Sequence, residues 1–319
     1  MFRLAHLSDP HVPPLPRPRI GELMNKRLLG YLSWQHRRKG IHRADMLDRL
    51  TADLKSKQPD HVVVTGDLVN ISLPGEFETA ADWLRRLGTP DRVTVVPGNH
   101  DAYVALPFLR SWHHWASYMS SEASGEAAGN PEREPTGFGD FPLVRRRGPV
   151  ALVGTSSALP TGPGMATGKL GASQVGELER QLGFLGREGL FRVVLVHHPP
   201  LDGTTKRRKR LLDSAEFRAV LGRVGAELVL HGHDHRFLEA EIDGDKGPVP
   251  VFGVPSASAR PYRDRPGAHY FLHEVDKTDA GWSLTVRAQG VQPDDGRFAE
   301  RFTRTIELER PRAASDGKS

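Results

Sequence analysis

The sequence predicts an α/β fold, and three observations carry that prediction. Runs of β-branched and aliphatic residues alternate with amphipathic stretches from residue 2 to residue 235, the pattern of strands and helices in an open sheet. Beyond Arg236 the helices stop and short strands separated by turn signals take over, which predicts a second, antiparallel sheet packed on the first. Polar residues also gather just past the strand ends, where open α/β sheets bind their ligands. The clearest case is Val95-Val96-Pro97-Gly98-Asn99-His100-Asp101. A β-branched run breaks at Pro-Gly, then presents an amide, an imidazole and a carboxylate in succession.

Each element can be justified in order. Residues 2–8 read as a strand that ends in Asp9-Pro10-His11. Residues at i and i+2 of an extended segment point the same way, so Asp9 and His11 can share one target. A proline-broken loop follows, and then a helix over Ile20 to Gln35. Its Ile20, Leu23, Met24, Leu28, Tyr31, Leu32 and Trp34 fall broadly on one side. Ala44 to Lys57 is an amphipathic helix on Met46, Leu47, Leu50 and Leu54. His61 to Thr65 is a buried strand running into Gly66-Asp67. Pro74 to Leu87 is a helix, with Pro near its start and Gly88 at its end.

After the strand that ends at Asn99, residues 104–120 read as an aromatic-rich helical stretch and 121–141 as a flexible insertion. Val150 to Ser156 is a strand, Ser173 to Leu185 a helix, and Arg192 to Val196 a strand ending in His197-His198-Pro199-Pro200. Leu211 to Val224 is helical, and Glu227 to Leu230 is a strand ending in His231-Gly232-His233-Asp234-His235. Strands are expected at 237–242, 249–253, 268–275, 282–289 and 302–308. Residues 1–310 are expected to form one domain, with a basic helical insertion at 13–43 and a disordered tail at 311–319.

Composition narrows the chemistry. The 319 residues include no cysteine, which removes disulfides, thiolate metal sites and cysteine nucleophiles together. Any metal must then be held by nitrogen and oxygen ligands, which favours Mn or Fe, with Zn as the other option. No apolar leader precedes the first strand, and no stretch approaches the ~20 apolar residues of a membrane span. The expected location is the cytoplasm, with the inner face of the membrane as the alternative. The net charge of +5 is local: residues 15–43 carry eight Lys or Arg against the single acid Glu22. A second basic cluster is Lys206-Arg207-Arg208-Lys209-Arg210.

Five strand ends therefore carry Asp9/His11, Asp67, Asn99/His100, His197 and His233/His235. Spacing alone does not choose between His197 and His198. The ordered set D-x-H, G-D, G-N-H-D, H-H-P and G-H-x-H, from Leu4 to about His235, resembles the calcineurin-like metallophosphoesterases. That resemblance implies an α/β sandwich of four layers, two mixed β-sheets packed face to face and flanked by helices. It implies two divalent metal ions: Asp9, His11 and His235 on one, Asn99, His197 and His233 on the other, and Asp67 bridging both. It further implies His100 as the residue that steadies the scissile phosphate and protonates the leaving oxygen, with Asp101 orienting His100. The same family pattern excludes His231 in favour of His233 and His235, and His6, His36, His42, His61, His113, His114, His269 and His273 lack this context and read as structural or surface residues.

The chemistry agrees with that assignment. A phosphodiester anion repels hydroxide, and two divalent ions ~3.5–4 Å apart neutralise the phosphoryl oxygens and generate a bridging hydroxide. An imidazole outside the metal shell supplies general acid catalysis. Pro199-Pro200 after His197-His198 resembles the bacterial branch that contains cyclic-nucleotide and glycerophosphodiester phosphodiesterases, so the expected substrate is a small anionic phosphodiester. The basic, Tyr/Trp-bearing insertion resembles the device of UDP-2,3-diacylglucosamine pyrophosphatases. It gives an alternative reading, a pyrophosphatase of a nucleotide-linked lipid that contacts an anionic membrane through residues 17–43. A nuclease ranks third, because neither basic patch interleaves aromatics beyond Tyr31 and Trp34.

Overall fold

The computed structural model describes residues 1–122, 133–292 and 296–309. Residues 123–132 of the expected flexible insertion, and the whole of the expected disordered tail at 311–319, lie outside the described residues.

Two six-stranded sheets form the centre. In the first, β1 (Phe2–Leu7), β2 (His61–Val64) and β3 (Val93–Val95) run parallel. β10 (His269–Lys277), β11 (Gly281–Val291) and β12 (Phe298–Glu309) then extend the sheet antiparallel from the far side of β1. In the second, β5 (Val150–Gly154), β6 (Phe191–Leu195), β7 (Leu228–His231) and β9 (Val249–Gly253) are parallel. Its antiparallel edges are β4 (Leu143–Arg147) and β8 (Leu238–Ile242).

The C-terminal strands thus make no sheet of their own, contrary to the reading of local pattern. β8 and β9 join the second sheet, while β10 to β12 complete the first. The reason is that Phe2 to His6 of β1 offer a free edge to Phe271–Val275 of β10, and an unpaired edge of backbone donors and acceptors recruits whatever strand can reach it. The expectation of two mixed, face-to-face sheets holds.

The layers follow from period-2 burial. On β6, Val193 and Leu195 enter the core between the sheets, whereas Val194 and Val196 face α4 (Ala172–Arg187) and α5 (Ser214–Val224). On β7, Leu228 and Leu230 point inward and Val229 outward. Strands covered on both faces read as continuous apolar runs, which is why they were legible. On the other side α2 (Ala44–Ser56) buries Met46, Leu47, Leu50 and Leu54, each side chain contributing about 1.5–3 kcal/mol. α3 (Pro74–Leu87) buries Phe77, Ala80, Trp83 and Leu84 beside it.

The expected helix over 20–35 is three short pieces: a 3-10 turn at Ile20–Leu23, α1 (Arg27–Ser33) and a π turn at Trp34–Arg38. Its apolar residues do not share a side. Tyr31 and Trp34 pack inward on Leu15, Ile71 and Leu73, whereas Ile20, Met24, Leu28 and Leu32 are exposed. The stretch 104–120 is likewise not one helix but two 3-10 segments, Phe108–Arg110 and Trp112–Met119. β4 went unread because its Arg145-Arg146-Arg147 masks the strand. Arg145 is buried all the same, donating to the carbonyl of Val93 and to Thr94 Oγ1 at 2.9 and 3.0 Å.

Candidate metal centre

The site lies where the carboxyl ends of both sheets meet. Asp9 and His11 follow β1, Asp67 follows β2, and Asn99 follows β3. His197 follows β6, and His233 and His235 follow β7. Close approach of the two sets of ends needs glycine. A Cβ on Gly232 would lie 1.8 Å from Ser8 Oγ and 2.4 Å from Asp9 Oδ2, and one on Gly66 would lie 2.8 Å from His197 Nδ1.

The backbone is strained at these ends. Asp9, His11, Asp67, His233 and His235 all have positive φ, between 38° and 74°. For residues other than glycine that region costs of order 1–3 kcal/mol each, and such strain clusters at functional sites. It is held by hydrogen bonds: Asp9 N to Gly66 O and His11 N to Asp67 O at 3.0 Å, and His233 N to Asp9 Oδ2 at 2.9 Å. Ser256 Oγ donates to Asp9 O at 2.7 Å.

Two backbone carbonyls set the imidazole tautomers. His11 Nδ1 donates to Val69 O at 2.9 Å, and His197 Nδ1 donates to Thr65 O at 2.7 Å. Both Nε2 atoms therefore face inward. His11 Nε2 lies 3.3 Å from His235 Nε2 and 3.9 Å from both Asp9 Oδ1 and Asp67 Oδ2. His197 Nε2 lies 3.1 Å from Asn99 Oδ1, 3.2 Å from His233 Nδ1 and 3.4 Å from Asp67 Oδ2. His235 Nε2 is 3.1 Å from Asp9 Oδ1. Asp67 stands between the two groups, and its Oδ1 accepts the His100 N–H at 2.6 Å.

This donor set fits divalent cations. Lone pairs of nitrogen, carboxylate and amide oxygen converge with few protons between them, and the buried Nε2 of His233 has no hydrogen-bond partner. Asp9, Asp67 and His197 place one ligand atom each within 4.8 Å of one another, as do His11, Asp67 and His100. The charge states suit ligation as well. Burial pushes His11 down to about 4 and His233 well below its usual value. Burial works against ionisation of Asp9, yet the neighbouring His235 draws it down to about 2. His197 is the exception: although burial opposes it, the Asp67 carboxylate lifts it to about 9.

Adjacent His198 also brings a ring nitrogen within 4.8 Å of ligand atoms of His197 and His233, but its nitrogens have other partners. Its Nδ1 pairs with Ser157 Oγ at 2.7 Å and its Nε2 with Ala166 O at 3.2 Å, so both nitrogens are engaged by protein, although its ring stays beside His233. His231 is buried with its ring against Gly253.

Asp101 does not orient His100 through its ring, as the sequence had suggested. Its carboxylate accepts four backbone N–H groups instead, from Gly98, Asp67, Leu68 and Val69, at 2.8–3.1 Å. Burial, together with the Asp67 charge, pushes its pKa up to about 7. The reason lies in the loop after β2, whose donors have no strand partner there and need acceptors. Buried Glu76 continues the series, taking the N–H groups of Asn70, Ile71 and Leu73. The loop so fixed presents the Asn70 carbonyl, which accepts the Nδ1–H of His100.

Several residues at the mouth were missed. Arg38 from the insertion hydrogen-bonds His100 Nε2 at 3.1 Å. His42 is buried against His11, with ring centroids 4.6 Å apart, and its Nδ1 pairs with Ser258 Oγ at 2.8 Å. Lys209 and Arg265 join Arg38, His42 and His100 around a cavity of about 250 Å³. The available signal was the local charge of residues 15–43, which announced an anionic neighbour but did not single out Arg38.

Two mixed sheets whose strand ends close on a cluster of His, Asp and Asn define a phosphoesterase-type α/β sandwich. The chain belongs to the calcineurin-like phosphoesterase family, whose profile matches residues 2–237. A glycerophosphodiester phosphodiesterase, GpdQ, of Enterobacter lignolyticus is 29% identical over 199 residues, covering 62% of this chain and 57% of the relative. A probable cyclic nucleotide phosphodiesterase of Synechococcus is 28% identical over 209 residues, covering 65% of this chain and 68% of the relative. The match thus spans little more than half the length of the first of these. In fold, a dimetal phosphatase from Danio rerio aligns over 97% of this chain and 99% of its own, with TM-score 0.61 and 12% identity. Purple acid phosphatase PPD1 from yellow lupin aligns over 96% of this chain and 53% of its own, with TM-score 0.55 and 12% identity.

Proposed function

We propose that this chain is a dinuclear-metal-dependent phosphodiesterase for small anionic diesters of the cyclic nucleotide or glycerophosphodiester type. The observation that carries the reading is the convergence of six donor residues from both sheets around Asp67, with Arg38 and His100 at the rim. The activities named for the two relatives support a diester substrate.

In this reading Asp9, His11 and His235 would hold one ion, Asn99, His197 and His233 the other, and Asp67 both. When bound, such ions neutralise a phosphoryl group and make water nucleophilic near neutral pH. The absence of cysteine favours Mn or Fe, with Zn as the other option.

The rim supplies binding and proton handling. Arg38, Lys209 and Arg265 ring the cavity with positive charge, which draws in an anion. His100 enters as a neutral imidazole, since burial and Arg38 hold its pKa well below the usual value. The Asn70 carbonyl accepts the hydrogen bond of Nδ1–H, while Nε2 accepts one from Arg38. A substrate phosphate that engages the guanidinium frees Nε2 and adds a negative charge beside it, and both changes favour uptake of a proton from solvent there. His100 can then pass that proton to the leaving oxygen.

The test is hydrolysis of bis-p-nitrophenyl phosphate by purified protein with added Mn, alongside cyclic nucleotides, glycerophosphodiesters, UDP-diacylglucosamine and single-stranded DNA. Two metal ions per chain and preference for a small diester are expected. Full activity after exhaustive chelation, with no metal detectable, would overturn the reading.

A further inference from the structure

α1 is built inside out. Residues 27, 30 and 31, continued by Trp34 of the turn that follows, form its inward stripe, and the first of these is Arg27, only 6% exposed. Its guanidinium donates to the carbonyls of Ile71 and Ser72 at 3.1 and 2.5 Å. Gly30 lets the helix lie close, because a Cβ there would be 2.7 Å from both Ile71 Cγ2 and Tyr103 Oη. Tyr31 and Trp34 complete the inward stripe, packing on Leu15, Ile71 and Leu73.

The outward stripe is apolar. Leu28, Leu29 and Leu32 are exposed, and the turn before them continues the row with Met24 at 82% and Ile20 at 88% exposure. A helix that folds against a core in water does the reverse, burying its leucines and exposing its arginines. Scattered exposed apolar residues need no explanation, but a contiguous row of them marks an interaction surface.

The surroundings indicate what that surface meets. Arg17, Arg19, Arg37 and Lys39 are exposed along the same segment. Its one acid, Glu22, is turned onto the backbone N–H of Arg19 at 2.7 Å. An apolar row edged by cations, with almost no opposing charge, matches the interface of an anionic lipid bilayer: acyl chains for the leucines, headgroup phosphates for the arginines. A protein partner would need a rim of mixed charge, whereas the exposed charges of this segment are all positive. The segment also touches the site. Lys26 lies 4.2 Å from the centre of the Tyr103 ring, which stacks on His100, and the π turn that follows α1 ends in Arg38.

We propose that residues 17–39 dock this chain on an anionic lipid surface, with Ile20, Met24, Leu28, Leu29 and Leu32 entering the interface and the exposed Arg and Lys residues meeting the headgroups. This is surface attachment, since no helix among the described residues is long and apolar enough to cross a membrane. The proposal does not depend on the chemistry of the metal centre.

The full chain is sedimented with vesicles of phosphatidylcholine alone or mixed with phosphatidylglycerol, beside the variant Leu28→Ser/Leu32→Ser. Hydrolysis of bis-p-nitrophenyl phosphate in solution and circular dichroism report on the fold. The expected result is salt-sensitive pelleting with the anionic vesicles only. The variant should lose at least roughly tenfold in that binding, as removal of two partly buried leucines requires, and should retain its soluble hydrolysis. Met24→Ser/Leu29→Ser carries the same test should the first variant misfold. Wild-type protein left in the supernatant at low salt overturns the proposal, and so does pelleting that neither variant weakens. Self-association dispersed by the variants, without vesicle binding, overturns it in favour of a second copy as the occupant. Vesicle binding by a protein that hydrolyses no diester leaves this proposal standing and removes the phosphodiesterase reading instead.

Discussion

Arg38 places a guanidinium nitrogen 3.1 Å from Nε2 of His100, across 62 residues of sequence. One of these side chains comes from the basic insertion and the other from the loop after β3, so a segment outside the regular sheet–helix framework reaches the reacting end of the site. Arg38→Ala should lower kcat/KM on an anionic diester by roughly 10–100-fold, the range for loss of a charge-assisted hydrogen bond. Arg38→Lys should recover only part of this, since an ammonium lacks the planar fork. Steady-state kinetics on both variants checks the point, and unchanged kinetics would remove Arg38 from substrate binding.

His100→Ala should leave metal content at two per chain while slowing turnover by about 10²–10⁴-fold on substrates with poor leaving groups. The effect should shrink with p-nitrophenyl esters, which depart without a proton. Elemental analysis and paired substrates separate this outcome from simple loss of metal.

On the proposed ligand set, the proton on His197 should make metal binding pH-dependent. Its pKa rises from 6.5 to about 9, with burial outweighed by the charge of Asp67. In metal-free protein the His197–Asp67 pair therefore contributes its full stability below pH 6.5 and loses it as pH climbs through 9. A metal ion has to displace that proton. Affinity should rise with pH up to about 9, and adding metal near neutral pH should release protons. A pH-stat titration that records no release at pH 7 would contradict this protonation state.

Asp101→Asn should act on stability before it acts on chemistry. The amide NH₂ would face two of the four backbone N–H groups that the carboxylate now accepts. Each buried donor left without an acceptor costs about 1–3 kcal/mol. Denaturant unfolding of the metal-free variant should show a loss of that size for each of the two donors. Were Asp101 chiefly a support for the His100 ring, turnover would fall with little change in the unfolding midpoint.

What the sequence made legible was whatever local pattern encodes. β6 and β7 were found because both faces are covered and the runs are uniformly apolar, and Asn99, His197 and His233 were found because each follows such a run. What stayed hidden depends on distant partners. Nothing in residues 268–275 says that they pair with β1, since that register is chosen by a free edge more than 250 residues earlier in the chain. Arg27 and Arg38 looked like members of one solvated basic run. Only the fold reveals that Arg27 is buried under a helix and that Arg38 meets His100. Asn70 and Glu76 act through a carbonyl and through backbone donors, and side-chain identity gives little notice of either. His42 was set aside as structural or surface because no strand precedes it, yet it is buried against His11.

The division of donors between the two sheets has a consequence for how the protein is made. Asp9 and His235, paired at 3.1 Å, are separated by 226 residues. A growing chain presents Asp9, His11, Asp67 and Asn99 long before His233 and His235 exist, so early in synthesis only a partial, weaker set of donors is on offer. The full set forms once the second sheet has docked on the first. On the proposed ligand set, tight metal retention would thereby be tied to completed assembly, and a chain that stops or misfolds before β7 would not become a loaded hydrolase.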